Sequence, residues 1–212
     1  MKSAAARNTA PLTDVTALVL AGGLGRRMGG KDKGLVELAG RPMVEFVLEA
    51  LGPQVGRVLI NANRNLERYA AYGHAVIADR HEGFLGPLAG VLSGLEESDS
   101  RFLLTAPCDA PLVAHDLATR LHRACVESGA DLVVASDGNR LQPVFMLLER
   151  RLRPGLEAFL AGGGRKIDAW FQDLNYAVAD LSDCPDCFIN INDPDERQRA
   201  EASLLSRPGA SR

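Results

Sequence analysis

Nothing constrains this chain more than residues 15–34, VTALVLAGGLGRRMGGKDKG, in which a buried strand runs straight into a basic, glycine-rich loop. Val15, Leu18, Val19 and Leu20 supply the strand, while Arg26, Arg27, Lys31 and Lys33 charge the loop. Glycine admits positive φ and lets a ligand approach bare backbone N–H groups, and the four cations suit phosphate oxygens. A strand that stops in this way belongs in an α/β sheet whose rim binds a polyanion, with a nucleotide as the natural candidate.

The rest of the chain supplies the remaining layers. Met43, Val44, Val47, Leu48 and Leu51 fall at helical spacing after Gly40-Arg41-Pro42, and Gly52-Pro53 stops the pattern. Residues 57–62 read as a second strand, 66–72 as a short helix, and 74–78 as a third strand closed by Asp79. Gly86-Pro87-Leu88-Ala89-Gly90 opens a helix of small residues; the strand at 102–105 then leads into Pro107-Cys108-Asp109-Ala110-Pro111. A helix at 115–128, a strand at 132–136, two helices around Gly162-Gly163-Gly164, a strand at 176–181, an extended piece at 188–192 and a last helix from Asp193-Pro194 complete the pattern.

This alternation predicts a single-domain, Rossmann-like α/β fold, a mostly parallel sheet with helices on both faces. Right-handed crossovers would then bring the C-terminal ends of the strands to one rim, so that the glycine loop, Asn61, Asp79 and Asp109 converge although far apart in sequence. The domain is expected over residues 15–205, between a disordered arm (1–14) and a disordered tail (206–212).

Composition closes off several alternatives. A net charge of -3 over 212 residues, with 5% aromatics, offers neither a basic nucleic-acid surface nor a stacking platform. No apolar run has membrane-spanning length, and the start lacks the hydrophobic segment of a secretory signal, so a cytoplasmic, reduced protein is expected. Cys184 and Cys187 form a C-x-x-C without the second ligand pair that a zinc site needs, and read as a loop that contains two cysteines. Cys108 and Cys125 read as small buried residues, and the four histidines form no ligand cluster.

Three nucleotide designs compete for the loop. A dinucleotide fingerprint needs glycine where Met28 stands. A P-loop pattern fits residues 25–31, but Asp32 occupies the place of the magnesium-binding hydroxyl, and Gly34, Gly40 and Pro42 interrupt the helix that should follow. A nucleotidyltransferase loop needs only cations that gather charge on a leaving pyrophosphate, and a carboxylate for magnesium. Asp109, held between two prolines at a strand end, suits that carboxylate; a helix cap is the plainer alternative. Turn or cap roles are open for Asp79 and Asn61 as well.

Taken together, Leu20-Ala21-Gly22-Gly23, Arg27-Met28-Gly29-Gly30 and Asp32-Lys33-Gly34 resemble the signature of the molybdenum cofactor guanylyltransferases, which have a nucleotide-diphospho-sugar transferase-like fold. Gly86-Pro87-Leu88-Ala89-Gly90, Pro107-Cys108-Asp109-Ala110-Pro111, Gln142-Pro143-Val144-Phe145 and Asn190-Ile191-Asn192 resemble the later motifs of that family in the same order. The resemblance implies transfer of GMP from GTP to the terminal phosphate of molybdenum-molybdopterin, with Mg2+ as cofactor and pyrophosphate as leaving group. It matches Leu20, Ala21, Gly22, Gly23, Lys33, Asn61, Asp79 and Asp109 to GTP-contacting positions, with Asp109 also the metal ligand. Asp109, Lys33 and Arg27 are the implied catalytic set, and Gln142, Asn190 and Asn192 fall near the pterin.

A carboxylate at Asp79 suits guanine, whose N1–H and N2–H₂ edge it can accept. Departures are Asp193, where a threonine is more usual, the fourteen-residue lead and the C-x-x-C loop. The sister cytidylyltransferase resembles Leu-Ala-Ala-Gly at the first motif, and a non-catalytic GTP-binding carrier is the reading from another class. A monomer is expected, with transient contact with other cofactor-biosynthesis proteins and molybdoenzyme chaperones, and with neither nucleic acid nor membrane as a partner.

Overall fold

The computed structural model describes residues 10–23, 32–80, 86–191 and 194–206. β1 (Leu12–Leu20) lies third in a seven-stranded sheet, between β4 (Val55–Asn61) and β6 (Phe102–Pro107), and is parallel to both. β5 (Ala75–Ile77) continues the sheet beyond β4; β8 (Leu141–Glu149), β7 (Leu132–Ser136) and β9 (Tyr176–Asp180) continue it beyond β6. β8 alone runs against its neighbours, antiparallel to both β6 and β7. A two-stranded ribbon of β2 (Glu37–Leu38) and β3 (Arg41–Pro42) stands apart. The expected mostly parallel α/β sheet is therefore present, with one reversed strand.

Alternating side chains of β1 feed two cores. Val15, Ala17 and Val19 face α1 (Met43–Leu51) and α4 (Leu117–Ser128), packing with Val44, Val47, Leu51, Leu117 and Leu121. Leu18 belongs to the opposite cluster with Leu88, Val91, Leu92 and Leu95 of α3 (Pro87–Glu97), together with α5 (Arg153–Ala161) and α6 (Ile167–Phe171). α3 can lie close because it carries Gly94, where a Cβ would stand 2.6 Å from Leu18 Cδ2. Two further helices, α2 (Leu66–Ala70) and α7 (Pro194–Ser206), complete the described chain; Ala200 of α7 packs on Leu38, Met43, Leu112 and Ile191. Among the described residues no helix is long and apolar enough to cross a membrane.

Three local readings are corrected. The first strand begins at Leu12, three residues inside the stretch read as the arm; the pairing Leu12↔Val55 is separated by an irregularity from the regular register with β4 that starts at Thr16. Phe188, expected to begin an extended piece over 188–192, instead ends a 3₁₀ turn, Pro185–Phe188, favoured by a proline in its first turn. Cys184 and Cys187, read as two cysteines that a loop merely contains, are joined as a disulfide, with Cα atoms 5.6 Å apart.

One buried polar side chain ties two helices together. Gln54, 8% exposed, donates from Nε2 to the Ala50 carbonyl (2.7 Å) and the Ala114 carbonyl (3.1 Å), while its Oε1 accepts from the Ala118 N–H (2.8 Å) in the first turn of α4. Gln54→Ala leaves these buried groups without their partner. Chemical denaturation is expected to show a loss of about 3 kcal/mol.

Candidate active site

The strand order turns at β1: chain leaving it goes outward through β4 and β5, then returns on its other side as β6. The crevice at such a switch point opens between the C-terminal ends of the two strands. Leu20 is paired with Pro107 there, and the Cys108 N–H donates to the Leu20 carbonyl at 3.0 Å. The next residue, Ala21, donates its N–H to the Asn61 carbonyl at 2.7 Å, so the glycine segment leaves the sheet from between the ends of β4 and β6.

Across this crevice Lys33 Nζ lies 2.9 Å from Asp109 Oδ2. Asp109 is 7% exposed, and its backbone carbonyl accepts from the Ile191 N–H at 3.1 Å, which fixes its orientation without using the carboxylate. Cys108 beside it is buried, and burial above all pushes its thiol well up, so it is a poor nucleophile.

A second set of residues surrounds Asp79. Asn61, buried at the end of β4, donates from Nδ2 to Asp79 Oδ1 at 2.9 Å; Asn63 donates to Asp79 Oδ2 at 2.8 Å, and its own Oδ1 accepts from the Asp79 N–H at 2.9 Å. The Asn61 amide sits between two glycines. A Cβ on Gly90 would run into Asn61 Oδ1, and one on Gly22 would stand 3.0 Å from both Asn61 Oδ1 and Asn63 Nδ2. An alanine at position 22 would therefore press on both amides that hold Asp79, and each carboxylate oxygen keeps a lone pair for a further donor.

Asp32, just before Lys33, accepts from Tyr69 Oη at 2.6 Å and from Asn65 Nδ2 at 2.9 Å. Burial, ahead of the neighbouring Cys108 and the bond to Asp32, raises the Tyr69 phenol above its ordinary range and keeps it a proton donor. Asn63, Asn65 and Tyr69 were not singled out in the sequence as site residues; the repeat of asparagines at 61, 63 and 65 after a strand was the available signal.

On the far side, Asp137, Arg140, Gln142, Phe188, Asn190 and Arg199 border a cavity of about 240 Å³. Gln142 Nε2 donates to Asp137 Oδ2 at 2.7 Å, and the backbone N–H groups of Arg140 and Asn139 hold the Asp137 carboxyl below its usual range. Asn190 is joined to the first crevice through Ile191. The structure therefore brings Lys33 to Asp109, Asn61 to Asp79, and Gln142 to the same cavity as Asn190. Arg27 and Asn192 lie outside the described residues, as do Arg26 and Lys31.

Among the described residues there is no group of three or more His, Cys, Asp and Glu side chains that could hold a metal. A single nearly buried carboxylate is the donor set of a cation that the phosphates of a substrate help to carry, which is how magnesium is commonly bound, so Asp109 fits that role.

Known proteins resemble this chain over most of its length. Residues 17–175 match the family model of the MobA-like NTP transferase domain. The molybdenum cofactor guanylyltransferase of Shewanella sp. (strain MR-4) is 50% identical over 190 residues, covering 90% of this chain and 96% of the relative. That of Shewanella halifaxensis (strain HAW-EB4) is 50% identical over 192 residues, covering 91% and 96%. Among solved structures, the molybdopterin-guanine dinucleotide biosynthesis protein A of Archaeoglobus fulgidus superposes with a TM-score of 0.77 at 25% identity, covering 91% of this chain and all of that one.

Proposed function

Since the chain belongs to the molybdenum cofactor guanylyltransferases, a family of nucleotidyltransferases with the MobA-like domain, we propose that it transfers GMP from GTP to the terminal phosphate of molybdenum-molybdopterin. An oxygen of the pterin phosphate attacks the α-phosphorus, the bond to the bridging oxygen breaks, and pyrophosphate leaves with the electron pair. The product is the guanine dinucleotide form of the cofactor. The observation that carries this reading is the 2.9 Å contact between Lys33 and Asp109 at the switch point, where Leu20 at the end of β1 pairs with Pro107 at the end of β6.

Each group then has a task. The backbone from Leu20 through Ala21 to Gly23 lines the phosphates, Lys33 and Arg27 gather charge on the leaving pyrophosphate, and Asp79, braced by Asn61, accepts from the guanine edge. Asp109 would hold a Mg2+ ion, which when bound shares the charge of the phosphate oxygens. Gln142, Asn190 and Asn192 orient the pterin so that its phosphate stands in line with the bond to be broken. The reaction is assigned to the cytoplasm.

The test supplies each nucleoside triphosphate with magnesium and molybdopterin, and measures pyrophosphate together with dinucleotide. GTP is expected to exceed CTP and ATP by about a hundredfold in kcat/KM, because a site built to accept the guanine edge leaves its polar groups unpaired with other bases. Equal turnover of CTP would transfer the protein to the cytidylyl reaction, and GTP bound but returned intact would make it a carrier.

A further inference from the structure

The turn that follows β4 reaches both ends of the phosphate-binding segment, and resting on the function proposed above, we infer that Tyr69 and Asn65 are positioning residues that aim Lys33 by anchoring Asp32. Two sets of contacts carry this. On the outgoing leg, Arg64 Nη2 donates to the Gly23 carbonyl at 3.2 Å, and Asn63 Nδ2 lies 3.5 Å from the Gly22 carbonyl. On the returning leg, Asp32 receives Tyr69 Oη at 2.6 Å and Asn65 Nδ2 at 2.9 Å, with Arg64 Nε 3.6 Å from the same carboxylate. One short stretch of chain therefore fixes where the segment leaves the sheet and where it comes back.

Local backbone choices point to the same contact. Asn65 stands at φ 52°, ψ 34°, the left-handed region that asparagine tolerates better than most residues, and its side chain is used on Asp32. Gly34 leaves room for the phenol: a Cβ there would stand 2.6 Å from Tyr69 Oη. Tyr69 is fully buried, so its hydroxyl is held where Asp32 can meet it. Asp32 and Lys33 are adjacent, and Lys33 opens the 3₁₀ turn Lys33–Leu35, so an anchored Asp32 fixes the origin of the Lys33 side chain that reaches Asp109.

The test measures GTP affinity by calorimetry, without molybdopterin, on the full chain carrying Tyr69→Phe or Asn65→Gly; the latter keeps the left-handed backbone and removes the amide. Each is expected to weaken GTP by about tenfold, roughly the worth of one hydrogen bond to a charged group. In a Lys33→Ala background neither is expected to have further effect, because the lysine they aim is gone, whereas a role in folding alone would remain additive. Tyr69→Phe with GTP affinity within twofold of the parent, or with its full effect retained in the Lys33→Ala background, overturns the inference. Should Tyr69→Phe fail to fold, Asn65→Gly decides by the same two criteria. A parent protein that binds GTP but transfers no GMP would refute the reaction proposed above and leave the anchoring role intact.

Discussion

Asparagine in place of Asp109 is expected to slow GMP transfer by about a thousandfold, or roughly 4 kcal/mol of barrier, while the fold persists. The carboxylate sits at the end of β6, nearly buried, in contact with Lys33. Its backbone is secured separately: the preceding N–H bonds to Leu20 and its own carbonyl accepts from Ile191. Asp109→Asn keeps the size of the side chain and both backbone bonds, but removes the negative charge that a divalent cation requires and that Lys33 faces. Pyrophosphate release under single-turnover conditions at saturating magnesium gives the rate, and the thermal midpoint reports the fold. A variant that retained most of its activity would remove Asp109 from the metal and leave the proposed chemistry without its centre.

The second large effect is expected at Lys33. Lys33→Ala should weaken GTP binding by about a hundredfold, the scale of losing charge-assisted contacts to phosphate oxygens. Its cost to the fold should be near 1 kcal/mol, because the ammonium is partly open to solvent in the pair with Asp109. Calorimetric titration of GTP, set against a denaturation curve of the same variant, separates the two. Unaltered GTP affinity would deny Lys33 a place on the triphosphate, and a larger loss of stability than of affinity would make it a structural partner of Asp109.

Much of this was legible in the sequence for a simple reason. Asn61 ends β4, while Asp79 and Asp109 come within two residues of the ends of β5 and β6, and in a parallel sheet such positions share a rim whatever their distance in sequence. The direction of β8 was not legible: Phe145, Met146, Leu147 and Leu148 are buried on both faces, and an apolar run reads the same forwards or backwards. The start of β1 was hidden by Thr13 and Asp14, exposed polar residues at a place where the pairing is irregular. Tyr69 and Asn65 gave no signal of their own, since their use depends on Asp32, which is distant in sequence and meets them only in the folded chain. The C-x-x-C was weighed for metal, and its spacing alone did not reveal a bond between the two sulfurs.

The reversed strand carries a consequence for how such a molecule can change. Because β8 enters the sheet from the rim where its parallel neighbours leave it, the β7–β8 turn with Asp137 and Arg140 lies on the same rim as the C-terminal ends of β1 and β6, bordering a cavity of its own. On the proposed reading, donor and acceptor are then served by separable parts of one scaffold: rewriting the hairpin and the segment after β9 could retarget the second substrate while the grip on the first is inherited unchanged.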